Sequence, residues 1–226
     1  METLFQDGKE EVLQAWFMDD GEEDQRLPHH CEPKKFVSLD KLADLGIVTW
    51  RLNAGNHEND EDLKKIREAR GCSFVYTVDM HPERLPDYDA KLKSYFQEHR
   101  HTNEETTYCL EGSGTQTQPL SSPAFPISLA HGCYLVVSFR EGYYDVRDKN
   151  DCWIRIAVKK GGMIVIPAGI YHRFTLDTSN YIKANLFLSK PVNSSSNRPS
   201  DDLSSRKETF ETFLRKETDE LGVEAR

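Results

Sequence analysis

Short apolar runs separated by turn residues fill the second half of the chain. β-Branched and aromatic residues cluster there, and Gly, Asp and Asn lie between the clusters. Strands are predicted at Thr106–Leu110, Tyr143–Val146, Trp153–Val158, Met163–Ile166, Tyr171–Leu176 and Tyr181–Leu188. Short strands at this spacing are typical of an antiparallel sandwich or barrel, so the chain is predicted to be mainly β.

The first half of the chain carries helix start and stop signals. Ser38 precedes leucines at helical spacing and Gly46 follows them, which predicts a capped helix. Residues 59–70 begin with acids and end with bases, and Pro86 opens a third segment with an apolar stripe. An apolar run at Ala15–Asp19 predicts one more short strand. A few helices should therefore flank the β structure.

The composition restricts the class of partner. With 226 residues the chain can bury a core without disulfides, and its net charge of -9 argues against nucleic acid or an anionic membrane as a partner. Its longest apolar run is too short to span a bilayer, and its N-terminus lacks the features of a secretory signal. Five scattered cysteines without a Cys-x-x-Cys pair are typical of reduced thiols in a cytosolic or nuclear setting, and we expect a cytoplasmic protein. We expect a monomer that acts on a small molecule.

One domain accounts for most of the chain. We expect a flexible extension at residues 1–14, a single domain at residues 15–199 and a helical tail at residues 200–226. The tail follows a polar Ser/Asn stretch and has only a modest apolar face. No internal repeat or long linker in the sequence divides the domain further.

Four residues have the chemistry and spacing of a metal site. His99 and His101 are two residues apart, so on a strand they point to the same face, and Glu105 lies at another even offset. On a helix the two histidines would diverge, so the pair can chelate only on a strand. His172 ends the run PAGIYH and could supply a fourth ligand from a second strand. Three imidazoles and one carboxylate suit a first-row divalent metal.

The spacing around these residues resembles the two metal motifs of cupins. The first motif extends from His99 to Gly112 and the second from Gly161 to His172. Longer segments are similar to acireductone dioxygenases, namely AWFMDD, DQRLPHH, EGSG, YYDVRDK, WIRI, PAGIYHRFTLD and NYIKA. The resemblance covers most of residues 15–199.

The resemblance implies a cupin-type double-stranded β-helix, or jelly-roll, barrel. It implies that His99, His101, Glu105 and His172 bind one Fe²⁺ or Ni²⁺ per chain. It also implies a dioxygenase of methionine salvage, which cleaves acireductone, 1,2-dihydroxy-5-(methylthio)pent-1-en-3-one, with O₂. In the resembling enzymes the iron form yields formate and 4-methylthio-2-oxobutanoate, and the nickel form yields formate, carbon monoxide and 3-methylthiopropanoate. Nothing in the sequence selects the metal.

Further site residues follow from the same chemistry. Four protein ligands leave two adjacent positions on an octahedral ion, which a planar ene-diolate can chelate. Glu98, next to a ligand, is a candidate for orienting a histidine or moving a proton, and a solvated edge carboxylate is the alternative. Phe174 and Tyr144 are candidate pocket walls for the methylthio tail, and plain core packing is their alternative.

Several positions depart from the resembling families. Thr107 stands where the dioxygenases have an arginine that holds the anionic substrate, and threonine supplies no fixed positive charge. The strand at Ala184–Phe187 is one residue short, which flips the following side chains unless a bulge absorbs the loss. Lys93 and Leu176 replace a leading glycine and a closing asparagine of the cupin motifs, and NSSS at residues 193–196 replaces an aromatic-containing segment.

Residues 115–142 interrupt the resemblance at a predicted hairpin. Joining Gly114 to Tyr143 restores the family pattern, and the intervening segment has three prolines followed by an apolar run. A structureless connection of this length is unusual in a compact domain. We interpret the segment as a translated, unspliced intron or a gene-model error, and a functional lid is the alternative.

Two main hypotheses of function follow. The first is a metal-dependent acireductone dioxygenase. The second is a catalytically impaired cupin paralogue that acts as a binding or regulatory protein, motivated by Thr107 and the short strand. Another cupin reaction, such as metal-assisted isomerisation or thiol oxidation, agrees less well with the segments outside the metal motifs.

Overall fold

Two antiparallel sheets make up most of the structure, a computed structural model that describes residues 13–19, 21–111, 141–190 and 195–197. Within these residues the strands are β1 (Leu13–Phe17), β2 (Phe36–Val37), β3 (Val48–Arg51), β4 (Phe74–Met80), β5 (His99–His101), β6 (Glu105–Glu111), β7 (Gly142–Arg147), β8 (Trp153–Val158), β9 (Gly162–Ile166), β10 (His172–Leu176), β11 (Ile182–Leu188) and β12 (Ser195–Asn197). The helices are α1 (Leu39–Ala43), α2 (Glu61–Ala69) and α3 (Tyr88–Tyr95), with a 3₁₀ helix at Ala54–Asn59. The seven-stranded sheet has the order β12-β5-β10-β7-β8-β1-β2, and the five-stranded sheet has the order β3-β9-β6-β11-β4.

The main core lies between the two sheets. Its largest cluster of buried apolar side chains takes Val146, Ile154 and Ile156 from the seven-stranded sheet and Ile164 and Ile182 from the other. Each such side chain contributes roughly 1.5–3 kcal/mol by leaving water. β7, β8 and β9 are buried along almost their whole length, so both of their faces are covered. The prediction of a mainly β chain with a few flanking helices is confirmed.

The three predicted helices are confirmed, and side-chain caps fix the starts of the first two. The Ser38 hydroxyl accepts a hydrogen bond from the backbone N–H of Lys41, and the Asp60 carboxylate accepts from the first N–H groups of α2. Gly71 follows α2 with a φ of 61°, a left-handed conformation that glycine adopts without Cβ strain. α3 ends four residues before β5, so this helix leads the chain directly to the first histidine of the site.

The predicted strands of the second half correspond to β6 to β11, with boundaries that shift by at most one residue. The sequence prediction missed β4, an edge strand whose first four residues are exposed and therefore show no alternation of burial. It also missed the short strands β2, β3 and β12. β1 begins at Leu13, two residues before the strand predicted at Ala15–Asp19.

A bulge lies where β11 pairs with β6. Lys183 pairs with Glu111 and Ala184 pairs with Cys109, so Leu110 has no partner of its own on β11. On its other side β11 pairs with β4 without any shift of register. A bulge of this kind can absorb the loss of one residue from β11. The side chains that follow the loss then stay on the same faces of the sheet as before.

The predicted hairpin at the insertion is wrong. β6 ends at Glu111 in the five-stranded sheet, whereas β7 begins at Gly142 in the seven-stranded sheet, so the chain changes sheets between them. Residues 112–140 hold almost all of the predicted insertion and lie outside the described residues. The same is true of most of the predicted extension at 1–14 and of the whole predicted tail at 200–226, so these assignments stay predictions.

The described cysteines are all free thiols, as the sequence pattern predicts. Among the described residues, none of the helices combines the length and the apolar character that crossing a membrane requires.

Candidate metal centre

Three histidines converge from two neighbouring strands. His99 and His101 lie on β5, and His172, the first residue of β10, pairs directly with His99. The ring centroid of His172 lies 4.6 Å from that of His99 and 5.2 Å from that of His101, and the two β5 rings are 5.0 Å apart. One ring nitrogen from each histidine lies within 4.8 Å of the others. The arrangement is compact enough for one ion to contact all three.

Backbone carbonyls orient two of the three rings. Nδ1 of His99 donates to the carbonyl of Gln97 over 2.7 Å, and Nδ1 of His172 donates to the carbonyl of Ile170 over 2.9 Å. A proton fixed on Nδ1 leaves the lone pair of Nε2 available to a metal. Burial and the neighbouring His172 lower the pKa of His99, which favours the neutral ring that coordination requires.

Glu105 reaches the histidines from the other sheet. β5 ends at His101 and β6 begins at Glu105 in the five-stranded sheet, so the prediction that one strand carries all three residues is wrong. The chain bends at residues 102–104 and crosses between the sheets, and strand alternation does not apply across such a break. The crossing nevertheless brings Oε2 of Glu105 to 2.9 Å from Nε2 of His101 and 3.5 Å from Nε2 of His172.

The electrostatics of the cluster keep the carboxylate ionised. Burial by itself raises the pKa of Glu105, but the adjacent His101 and His172 lower it by more, so the pKa lies well below its usual value. An ionised carboxylate is the form that binds a metal ion.

The donor set fits a divalent metal ion. Nε2 of the buried His172 makes no hydrogen bond to any described residue, which is a costly state for a buried polar atom unless an ion binds it. Metal–nitrogen bonds of about 2.1 Å put neighbouring ligand atoms of an octahedron about 3 Å apart, close to the separations of Glu105 Oε2 from the two imidazole nitrogens. His99, His101, His172 and Glu105 would therefore hold the ion. Imidazole and carboxylate ligands suit several first-row metals, so the set does not select among them.

These residues line a pocket of about 320 Å³. Both predicted wall residues, Phe174 and Tyr144, line it as well, with ring centroids 4.9 Å apart. Most of the remaining described wall is apolar and comes from β4 and β11, namely Val78, Met80, Ile182, Ala184, Leu186 and Leu188. The described lining residues include no lysine or arginine. This wall suits an apolar tail and offers no fixed positive charge, and contact of Phe174 or Tyr144 with a substrate stays a prediction.

Two hydroxyl groups connect Glu105 to the pocket wall. The Tyr144 hydroxyl donates to Oε1 of Glu105 over 2.8 Å, and Oγ1 of Thr107 lies 2.8 Å from the same phenol oxygen. Burial and the charge of Glu105 raise the pKa of Tyr144 well above its usual value, so the phenol stays protonated. The contact between Thr107 and Tyr144 could not be predicted from the sequence. It joins positions 37 apart that lie on different sheets, and no spacing rule reveals such a pair.

Glu98, the tentative catalytic residue, pairs with an arginine. Its carboxylate oxygens lie 3.3 Å from Nε and Nη2 of Arg147, whose guanidinium lies 3.8 Å from the ring centre of Trp153. Glu98 is not among the described residues that line the pocket. A role in orienting a histidine or moving a proton stays a prediction.

Comparison with known proteins agrees with this geometry. The sequence model of the ARD/ARD′ family matches residues 14–117 and 136–195, which is well over half of the chain. The chain belongs to the ARD/ARD′ family. The unmatched stretch between the two parts lies inside the predicted insertion at 115–142.

Plant members of the family are similar over almost the whole chain. Acireductone dioxygenase 2 of Oryza sativa subsp. indica is 58% identical over 215 residues, which cover 95% of this chain and 94% of the relative. Acireductone dioxygenase 1 of Oryza sativa subsp. japonica is 55% identical over 225 residues and 99% of each chain. Acireductone dioxygenase 3 of Arabidopsis thaliana is 53% identical over 216 residues, 95% of this chain and 94% of its own. The predicted family membership is confirmed.

A solved structure shares the fold. Acireductone dioxygenase from Bacillus anthracis, which has a cadmium ion in its active centre, superimposes with a TM-score of 0.51 at 14% identity, covering 72% of this chain and 91% of its own. This likeness confirms the predicted cupin fold.

Proposed function

We propose that this ARD/ARD′ chain is a metal-dependent dioxygenase that cleaves 1,2-dihydroxy-5-(methylthio)pent-1-en-3-one with O₂. The observation that carries the proposal is the convergence of three histidine nitrogens and one glutamate oxygen beside a largely apolar pocket. Relatives named acireductone dioxygenase at 53% to 58% identity support the dioxygenase activity.

The roles of the residues follow from their contacts. When bound, the metal would supply Lewis acidity to the two ene-diol oxygens. His99 and His172, held through Nδ1, keep Nε2 aimed at the ion, and Glu105 adds the negative charge that a divalent ion prefers. Phe174 and the apolar residues of β11 would receive the methylthio tail and exclude water from the reacting atoms.

The identity of the metal then sets the products. We propose that the Fe²⁺ form gives formate and 4-methylthio-2-oxobutanoate, and that the Ni²⁺ form gives formate, carbon monoxide and 3-methylthiopropanoate. This activity would place the chain in methionine salvage. The free cysteines and the acidic net charge support a monomeric protein of the cytosol or nucleus.

Metal loading with product analysis tests the proposal. The purified chain should bind about one Fe²⁺ or Ni²⁺, since three histidine nitrogens lie within 4.8 Å of one another and an oxygen of Glu105 lies beside two of them. Each form should consume O₂ with acireductone. Oxygen uptake, metal analysis and NMR of the products measure this. His101→Ala should lose the metal and the activity, whereas His57→Ala, which alters a histidine outside the pocket, should keep both. A wild-type chain that binds neither metal would refute the centre.

A second candidate is a metal-binding cupin that has lost turnover. It is favoured by one observation, that the described pocket wall contains Thr107 but no lysine or arginine to hold an anionic substrate. The same experiment separates the two functions. Stoichiometric metal without oxygen uptake would support this second candidate, whereas uptake with the expected products would exclude it.

A further inference from the structure

Three side chains form a hydrogen-bonded series next to the metal centre. The phenol of Tyr144 lies 2.8 Å from Oε1 of Glu105 and 2.8 Å from Oγ1 of Thr107. An ionised carboxylate can only accept hydrogen bonds, so the phenol hydrogen points to Glu105. The phenol oxygen is then left as an acceptor, and Thr107 donates to it. The direction of both hydrogen bonds is thus fixed by the charge of Glu105.

The two oxygens of Glu105 have different partners. Oε1 accepts from Tyr144, whereas Oε2 lies 2.9 Å from Nε2 of His101 and 3.5 Å from Nε2 of His172. Turning Oε1 toward the histidines would break the hydrogen bond to the phenol. Tyr144 and Thr107 are each only 4% exposed, so water cannot readily replace the lost acceptor.

We propose that Tyr144, supported by Thr107, is a positioning residue that keeps Glu105 a single-oxygen ligand of the metal. Carboxylates bind metals through one oxygen or through both. With one oxygen from Glu105, the four protein ligands leave two of the positions of an octahedron open. With both oxygens, only one position stays open, and a diol cannot chelate through a single position. The inference rests on the metal site of the proposed function, but not on turnover.

Thr107 offers a matched pair of variants. A β-branched residue on a strand has few rotamers, so its hydroxyl is held toward the phenol. Thr107→Val keeps the shape and removes the donor, whereas Thr107→Ser keeps the donor. A role that depends only on packing would be disturbed more by serine than by valine. A role that depends on the hydrogen bond would show the opposite order.

Tyr143→Phe is the control for Tyr144→Phe. Tyr143 is the adjacent residue of β7, is 5% exposed, and is not among the described residues that line the pocket. Both variants therefore remove one buried phenol oxygen from the same strand. Only the variant at Tyr144 removes a donor to a metal ligand.

Two measurements on the intact chain test the proposal. Competition with a chelator gives the Ni²⁺ affinity, and broadening of the Mn²⁺ EPR lines in ¹⁷O-water counts the waters on the bound ion. Tyr144→Phe should bind Ni²⁺ about tenfold more weakly or worse. It should also lower the water count from about two to about one, because Glu105 can then bind through both oxygens. Thr107→Val should move both readouts in the same direction by less, and Thr107→Ser and Tyr143→Phe should match the wild type.

The water count decides the outcome. An unchanged count in Tyr144→Phe overturns the proposal, whether or not the affinity falls, because the second oxygen of Glu105 has then stayed away from the ion. If Tyr144→Phe does not fold, the same count in Thr107→Val against Thr107→Ser decides in its place. Both readouts are taken without acireductone. A chain that binds metal but consumes no oxygen therefore refutes the dioxygenase activity and leaves this test intact.

Discussion

Two buried polar clusters lie on opposite faces of β7. They differ in whether every polar atom has a hydrogen-bond partner within the protein. On the face away from the pocket, Asp145 accepts from Arg155 over 2.7 and 2.8 Å and from Arg173 over 2.8 Å. The remaining guanidinium nitrogen of Arg155 donates to the backbone carbonyls of Gln25 and Leu27. Both side chains of the central pair are fully buried. Every charge in this cluster therefore has a protein partner.

On the pocket face of the same strand, the hydrogen bonding is incomplete, so this cluster is open and the first is closed. Tyr144 donates to one oxygen of Glu105, and the other oxygen lies 2.9 Å from Nε2 of His101. Nε2 of the buried His172, in contrast, bonds to no described residue, and one ring nitrogen from each of the three histidines lies within 4.8 Å of the others. A buried polar cluster in which every charge is paired destabilises the fold when one partner is removed, whereas a cluster with an unsatisfied buried atom beside other ligand atoms is suited to bind an ion.

Removing the carboxylate from the closed cluster should have the largest effect. Asp145→Asn keeps the shape but leaves the fully buried guanidinium of Arg155 and the partly buried one of Arg173 without a full counter-charge, so the free energy of unfolding should fall by about 3–5 kcal/mol. Denaturant unfolding of the metal-free protein measures this. Asp62→Asn, which alters an exposed pair with Lys65 at 3.2 Å, should change it by less than about 1 kcal/mol. Equal effects of the two substitutions would contradict the distinction.

Binding of a metal ion to the open cluster should have the next largest effect on the free energy of unfolding. Free metal at 100 times its dissociation constant should raise the free energy of unfolding by about 2.7 kcal/mol, because the folded chain binds it and the unfolded chain does not. His101→Ala should abolish the increase, and Asp145→Asn should retain it wherever the protein still folds. Thermal unfolding with and without Ni²⁺ measures the difference. A metal-induced increase in His101→Ala equal to that of the wild type would show that the ion binds elsewhere.

Patterns of neighbouring residues predicted much of the fold and part of the metal centre. Strand periodicity and turn residues located β6 to β11, and the spacing of His99 and His101 predicted that both would face one way. Ser38 and Asp60 act as the caps that their positions indicate. These features depend on a few neighbouring residues, so the sequence contains all the information that they need.

The features that depend on pairing between sheets could not be predicted in this way. Glu105 belongs to a different sheet from His101, although only three residues separate them. The contact between Thr107 and Tyr144 exists only because β6 faces β7 across the core. From the sequence alone, Thr107 is notable only because it replaces an arginine. β4 was missed because its exposed edge shows no alternation. In each case the deciding neighbour is distant along the chain.

The acid sensitivity of the metal-free protein should be the smallest of the three effects, and part of it should come from the open cluster. Burial also lowers the pKa of His30, outside the cluster, and adds to the effect. Burial and His172 lower the pKa of His99 from its usual 6.5, so just below that pH the unfolded chain binds more protons than the folded chain. Glu105, whose pKa is held below 4.5 by His101 and His172 despite its burial, acts in the same direction at lower pH. The free energy of unfolding should therefore fall as the pH drops below 6.5, by at most about 1.4 kcal/mol per pH unit for each group.

Substitution of one imidazole isolates this contribution. His99→Gln removes one of the titrating groups, so the decrease just below pH 6.5 should become shallower, with the contribution of His30 left, while the decrease below pH 4.5 remains. His57→Gln, which alters a histidine outside the pocket, should leave both parts of the curve unchanged. Denaturant unfolding in the presence of a chelator, repeated across this pH range, measures the curves. An identical slope in His99→Gln and the wild type would mean that the open cluster is not what makes the metal-free protein sensitive to acid.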